Sequence, residues 1–450
     1  MNSHQNNELV FGYTEKEYRL FSRYAWRFLL LFSFLYLTLY CTRLNLSAAA
    51  PVMMSELGFT KSQFGILTSV LFWTYGIGQL VNGRLSDSFG PEMFIILSVL
   101  LSISANIIIA FHESFPSMVL IWAINGFAQS MAWASGIAII TRWWPGEKRG
   151  FATGFALAFS GFGQVAATLS VTFALTAFPK LGWKAAFIIP SFFPLLMLAL
   201  YVIFARTKPE SIGLKEYTES NGEERSLEAE MKTMVKSSGM LYPYKYVLSN
   251  RGYRAWVAIA FLGGLARYGL STWVPIYFIE NYGIKVTSGL IQSLALPVGM
   301  GVGTLVVAAL TDKYCPNNRI VAAVFAAASA AVTVFSLVFL DPRVLWQLII
   351  IELLLFISGF SIFAISGASG AYAADVGGRV FSGTATGMLS FTAYMGAALQ
   401  SFVYGFSLET LGWRFVFFSI ATFCIVIVVI STSDALKTKK ELDTQENKSF

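Results

Sequence analysis

The sequence predicts an all-α membrane protein of twelve transmembrane helices, arranged as two pseudo-symmetric bundles of six. Three observations predict it: a composition too apolar for a water-facing surface, twelve runs long enough to cross a bilayer, and a repeat relating the two halves. Of 450 residues, 56% are hydrophobic and 13% charged, and the mean hydropathy is +0.62. Soluble domains are about a quarter charged, so lipid must cover most of this chain. The three cysteines, Cys41, Cys315 and Cys424, sit in or beside apolar runs and exclude a disulfide framework or a cysteine zinc site. Two histidines, His4 and His112, exclude a multi-histidine metal site, so no metal is expected. The net charge of +7 belongs with loops facing the cytoplasm, and no nucleic-acid partner is expected.

A bilayer core of about 30 Å needs roughly 20 apolar residues at 1.5 Å rise. Residues 1–23 are polar and charged, and nothing there reads as a cleavable signal. The first six spans then follow at 25–50, 62–84, 91–111, 116–141, 150–176 and 184–205. The stretch 206–252, with Lys, Glu and Ser interspersed, reads as a cytoplasmic linker. Six more spans follow at 254–279, 287–310, 319–340, 345–372, 383–406 and 413–433. The domains are therefore an N-terminal bundle (1–205), the linker (206–252) and a C-terminal bundle with its tail (253–450). With both termini inside, six basic residues fall outside: Lys61, Lys180, Lys184, Lys285, Arg343 and Arg414. Even with the long linker discounted, the inner side keeps more than twice as many, which places both termini in the cytoplasm.

The halves repeat each other in order. Residues 43–51 (RLNLSAAAP) and 267–275 (RYGLSTWVP) share R-x-x-x-S-x-x-x-P at an offset of 224. Gly58 to Asp87 and Gly283 to Asp312 are each 29 positions apart. RGFATG at 149–154 answers SGTATG at 382–387, and LGWK at 181–184 answers LGWR at 411–414. Tandem six-helix units of this kind are a hallmark of secondary transporters.

Two arginines stand inside spans at matching positions, Arg43 and Arg267. Each costs about 2.5–3.5 kcal/mol to insert at a helix centre, and neither has a counter-charge on its own helix face. A guanidinium fork matches phosphate oxygens two at a time, so an anion between the halves would neutralise both. Tyr36, Tyr40, Arg43 and Ser47 follow at steps of four, three and four, one helix face whose hydroxyls can donate without adding charge. Glu352 is a lone carboxylate within LIIIELLLF. It reads either as a proton-coupling group or as a carboxylate facing water near the outer end. No G-x-x-x-x-G-K-[ST], H-E-x-x-H or G-x-S-x-G occurs, so the chain is not expected to be an enzyme and needs no cofactor.

GRLSDSFG at 83–90 resembles the loop between the second and third helices of the major facilitator superfamily, with Gly83, Asp87 and Gly90 at the pattern positions. ALTDKYCP at 309–316 is its weaker echo. That resemblance implies the major facilitator fold and a conformational, not substrate-binding, role for the motif. Finer features resemble the organophosphate:phosphate antiporter family: YCTRLNLS (40–47), GFAQSMAW (126–133), RWWPGEKRG (142–150), TKPESIGL (207–214) and ARYGLSTWVPIYF (266–278). The resemblance implies exchange of a phosphorylated small organic anion for inorganic phosphate by alternating access, in a cell membrane and by a monomer. It assigns the anion clamp to Arg43 and Arg267 and the cavity wall to Gln129 and Trp133, with Ser160, Gln164 and Tyr394 as further substrate-binding candidates. The chain departs from the glycerol-phosphate members at Gln79, Ser160, Gly264 and Pro297, which stand where that pattern has a lysine, a histidine, a tyrosine and a glutamate. The R-x-N-L-S segment also resembles proton-coupled anion symporters, and some members of the exchanger family act as sugar-phosphate sensors. Both stay open as alternatives.

Overall fold

A computed structural model describes residues 12–215, 241–282, 286–314 and 319–446. No strand occurs among the described residues, and helices account for nearly all of them. The first half begins with α1 (Glu15–Leu39) and α2 (Asn45–Leu57), followed by α3 (Lys61–Phe89), α4 (Pro91–Ile109), α5 (Phe115–Trp143) and α6 (Gly146–Ala177). Its sixth span is split, because Pro190 removes a backbone donor, into α7 (Ala185–Ile188), a 3-10 turn and α8 (Phe192–Phe204). The second half comprises α9 (Tyr242–Ser249), α10 (Arg251–Tyr282), α11 (Val286–Gln292), α12 (Ala295–Tyr314), α13 (Arg319–Leu337), α14 (Leu345–Thr410) and α15 (Gly412–Glu446).

Local chemistry sets several of these ends. Thr14 and Thr60 cap α1 and α3 with reciprocal bonds to Glu17 and Gln63 three residues on. Gly90 ends α3 at φ 95°, a left-handed value that suits glycine, and Pro91 then opens α4. Gly83 and Asp87 lie within the helical backbone of α3, while their side-chain surroundings fall outside the described residues. So do Cys315 and residues 216–240, the middle of the expected linker.

The expected spans at 345–372 and 383–406 form one helical run of 66 residues, α14. Straight, it would measure about 100 Å, three times a bilayer core. Its contacts with α10 show that it doubles back. The Tyr372 ring stacks on Trp256 and Phe363 lies beside Arg267, so the first arm runs opposite to α10. Tyr253 then donates to the Ala385 carbonyl (2.7 Å) and Trp273 to Gln400 (3.2 Å), so the second arm runs alongside it.

Nine stretches among the described residues are long and apolar enough to cross a membrane. The expected spans at 116–141 and 383–406 fall short because buried Asn125, Gln129 and Gln400 dilute their hydropathy. These positions face other helices. Only 33% of the strongly apolar Pro179–Phe204 stretch is buried, against 78% of the less apolar Glu15–Leu57, so the most hydrophobic surface points outward. That is the inverse of a soluble protein and suits a lipid environment.

The halves meet at one end, the end distal to the described chain termini. A single apolar cluster there mixes Phe64 and Leu71 with Trp273, Tyr277 and Leu408. At the opposite end, the core around Phe28 and Trp143 and that around Trp256 and Ile320 each stay within one half. Polar contacts latch the distal rim: Lys61 pairs with Glu280 (2.9 Å), Trp413 donates to Glu280 (3.0 Å), and the Ser62 amide donates to Glu409 (3.0 Å). That backbone donor holds the Glu409 carboxyl below the usual carboxylate range, so its contact is present at neutral pH and lost as pH falls through the lowered value. At the rim a Cβ on Gly405 would sit 2.9 Å from the Lys61 carbonyl, and deeper in the seam one on Gly161 would sit 2.6 Å from the Gly301 Cα.

Gly161→Val should therefore wedge the seam apart. Lys61→Ala should weaken distal closure by about 1 kcal/mol, roughly 5-fold. A cysteine replacing Ser69, which is buried and donates to the Ala398 carbonyl across the seam, should react faster with a thiol reagent in both variants, most in Gly161→Val. Unchanged labelling in both would disprove the seam's role in closure.

Candidate substrate site

The site begins with an interruption of the first span. The sequence predicts one continuous helix over 25–50, yet α1 ends at Leu39, a 3-10 turn covers Tyr40–Thr42, and Arg43 takes φ −120°, ψ −53°. Backbone groups released inside a bilayer must find partners within the protein, since each orphan costs several kcal/mol. Here α4 and α5 supply them. The Thr42 carbonyl accepts from Asn106 (2.8 Å) and Asn125 (2.9 Å), and the Leu39 carbonyl accepts from Gln129 (3.1 Å) and the Thr42 hydroxyl (3.1 Å). Ser102 donates to Thr42 Oγ1 (3.0 Å) and to Asn125 (2.7 Å), and Asn45 donates to Asn106 (2.7 Å) and to the Ala186 carbonyl (3.0 Å). This bracket lies wholly in the first half, and it fixes the direction in which Arg43 leaves the chain.

Four helices bring functional side chains to one depth. Arg43, just before α2, lies 14 residues from the distal end of that helix, and Tyr75, Arg267 and Tyr394 lie 14, 15 and 16 residues from the distal ends of theirs. At 1.5 Å per residue that is about 21–24 Å, near the middle of the bundle. Arg43 is 3% exposed and lies over the rings of Tyr40 (4.0 Å) and Tyr75 (5.0 Å). Its Nη1 donates to the Tyr394 hydroxyl of the other half (3.2 Å), while Nε and Nη2 have no partner. Arg267 lies over Phe363 (4.1 Å) and Tyr268 (4.8 Å), and its Nε is likewise unpartnered. Tyr394 packs against Tyr75 (4.1 Å) and Tyr268 (5.6 Å), closing the layer between the arginines.

Neither arginine makes an ion pair among the described residues. Ring faces stabilise a desolvated cation by about 2 kcal/mol, short of the several kcal/mol that burial costs. Two cations within electrostatic reach of each other, with donors to spare, form a site suited to an anion.

The other expected residues divide into two groups. Tyr40 lies within electrostatic reach of both arginines and beside Ser160, whose hydroxyl is buried and unpartnered. Tyr36 packs on Trp133 (5.0 Å) and Tyr40 (5.8 Å), extending the aromatic wall. Gln164 lies one turn distal to Ser160 and, among the described residues, donates to the Met300 sulfur alone (3.3 Å). Gln129, by contrast, is turned into the bracket, where its amide nitrogen serves Leu39, Thr42 and Ser102. Glu352 is half-buried on the first arm of α14, with no hydrogen bond or ion pair among the described residues. Sequence reasoning missed Tyr75, Tyr268 and Phe363. It also missed the buried amides Asn45, Asn106 and Asn125, whose presence in apolar runs was a usable signal.

The chain is similar over nearly its whole length to proteins named as transporters and as a membrane sensor. A probable hexose phosphate transport protein of Chlamydia muridarum is 28% identical over 419 residues, covering 90% of each chain. The membrane sensor protein UhpC of Escherichia coli is 26% identical over 415 residues, 90% of this chain and 92% of its own. In fold, a bacterial homolog of the human lysosomal transporter Spinster, solved inward-facing and unoccupied, superposes with a TM-score of 0.74 at 14% identity. It covers 93% of this chain and 98% of its own. The family description that matches residues 32–401, taken with two helical halves closed around a central cationic layer, shows that the chain belongs to the Major Facilitator Superfamily.

Proposed function

We propose that this carrier moves a phosphorylated small organic anion across the membrane by alternating access, in exchange for inorganic phosphate. The observation that carries the proposal is the pair Arg43 and Arg267, one from each half at one depth, Arg43 buried and Arg267 half-buried, with unpartnered donors and no ion-paired carboxylate among the described residues. A phosphate dianion offers two negative charges and several acceptor oxygens, enough to engage both forks. The hexose phosphate transport protein among the relatives supports a phosphorylated substrate. Alternating access is supported by a seam that is latched distally while the opposite-end cores remain separate. Residues 1–205 and 253–450 act as the moving units, and Tyr36, Tyr40, Trp133, Ser160, Gln164 and Tyr394 complete the wall around the anion. Both termini face the cytoplasm, and the monomer is the working unit in the cell membrane.

Arg43→Ala or Arg267→Ala should reduce phosphate binding at least ~100-fold, and Lys at either position should retain a weak remnant, because it keeps charge but loses the planar fork. Isothermal titration with inorganic phosphate measures this. Near-native binding by both Ala variants would exclude the clamp.

Two other readings have specific support. Glu352, unpaired within the membrane, favours proton-coupled symport, and the relationship to a membrane sensor protein favours signalling without transport. Counterflow of labelled phosphate in proteoliposomes separates a carrier from a sensor. For an exchanger, efflux should require external phosphate, should ignore a protonophore, and should survive Glu352→Gln. Uptake driven by a pH gradient and lost in Glu352→Gln selects symport instead.

Gln79 is buried one turn from Tyr75 on α3, with its amide nitrogen unpartnered. Gln79→Lys would add a third cation near the clamp. It should tighten phosphate binding by roughly 10-fold and slow exchange, because the anion is then held too well to leave. Weaker or unchanged phosphate affinity in calorimetry would show that Gln79 does not face the anion.

A further inference from the structure

One turn distal to the arginine layer, a small cavity of about 20 Å³ lies between the halves. Ser47, Gln164 and Thr168 of the first half and Ser271 and Ser293 of the second supply its polar lining, and none of the residues around it is charged. Ser47 follows Arg43 by four residues and Ser271 follows Arg267 by four, so the cavity lies next along the chain from both arginines, whose side chains are not part of its lining. The space suits about one or two water-sized groups.

Two of its donors are poorly satisfied, whereas Thr168 and Ser293 donate to the Gln164 and Leu290 carbonyls. Gln164, buried at 5% exposure, directs its amide nitrogen to the Met300 sulfur (3.3 Å). Ser271 directs its hydroxyl to the same sulfur at 3.7 Å. A thioether is a weak acceptor, so two donors, one from each half, share a partner that any oxygen would better. Met300 is fully buried yet unbranched and adaptable, so it can yield to an incoming group without disturbing the backbone.

We propose that this cavity is a subsite for an uncharged hydroxyl on the organic part of the substrate. Gln164 and Ser271 read that hydroxyl jointly, and the site thereby selects phosphate esters of polyols and sugars over esters that carry a second anionic group. The selection is electrostatic and steric together. A carboxylate placed here would be desolvated among neutral groups with no cation of its own, since both arginines are engaged by the phosphate. The neutral hydroxyl gains two donors at no such cost. The inference rests on the phosphate reading of the clamp and adds what stands beside the phosphate.

Glycerol 3-phosphate and 3-phosphoglycerate test it, because they differ only in a hydroxymethyl against a carboxylate. Calorimetry on the purified full-length protein, with inorganic phosphate as reference, should show glycerol 3-phosphate binding at least ~10-fold tighter than 3-phosphoglycerate. Gln164→Leu and, as a smaller change, Ser271→Ala should each cut that preference by about 3- to 10-fold. Gln164→Lys should move it towards 3-phosphoglycerate by supplying the missing cation. Tighter binding of 3-phosphoglycerate by the unmodified protein, or an unchanged preference in both Gln164→Leu and Ser271→Ala, overturns the subsite while leaving the clamp standing. Failure of inorganic phosphate to bind the unmodified protein overturns the clamp and the subsite together.

Discussion

Two guanidinium groups held at the centre of a bilayer-spanning bundle, without a carboxylate to answer them, set the terms for everything around them. A charge so placed needs either water or an ordered set of dipoles, and the tyrosines Tyr40, Tyr75, Tyr268 and Tyr394 supply faces and hydroxyls in that role. They stabilise the cations without neutralising them. Full charge compensation would fill the site permanently, and none would make the empty protein too costly to fold. The aromatic layer lies between those limits, which is what a reversible anion site requires.

The same constraint explains the bracket on the first span. An intact helix would point residue 43 along the helix surface, whereas the 3-10 turn re-aims it into the interface. The released carbonyls of Leu39 and Thr42 then demand donors, and three buried amides on α4 and α5 answer them. Polar residues in the middle of apolar runs thus serve two purposes that composition cannot separate. Asn106 and Asn125 hold the backbone, while Arg43 and Arg267 face the layer between the halves, the proposed anion site.

Much of this was legible in the chain itself. Charge inside an apolar run is a local contrast, so Arg43 and Arg267 stood out, and the R-x-x-x-S-x-x-x-P repeat placed them opposite each other. The aromatic partners were not legible, because 16% of the residues are aromatic and Tyr75 or Phe363 looks like any neighbour. The interruption at Tyr40–Leu44 was hidden for another reason: no proline or glycine marks it, and its stabilising partners lie 60 or more residues away. Gln129 was expected at the cavity wall, yet side-chain direction depends on what its neighbours lack, and here that is the Leu39 carbonyl. The reversal within α14 was legible as a gap between two apolar runs, but not its helical backbone, since short polar loops and helix ends share a composition.

The distal latch has a bearing on how the protein meets its surroundings. Lys61 and Glu280 are partly solvent-accessible, at 22% and 34%, whereas the Gly161–Gly301 contact below them is backbone against backbone. Electrolyte reaches the first pair and screens it over a Debye length of about 8–10 Å, but has no purchase on the second. In the alternating-access cycle proposed above, the resting balance between the two orientations is thereby tied to ionic strength at the distal face only. With the cell-membrane placement and cytoplasmic termini proposed above, a move from dilute to saline medium shifts which side the empty protein faces, without any change in the affinity of the site itself.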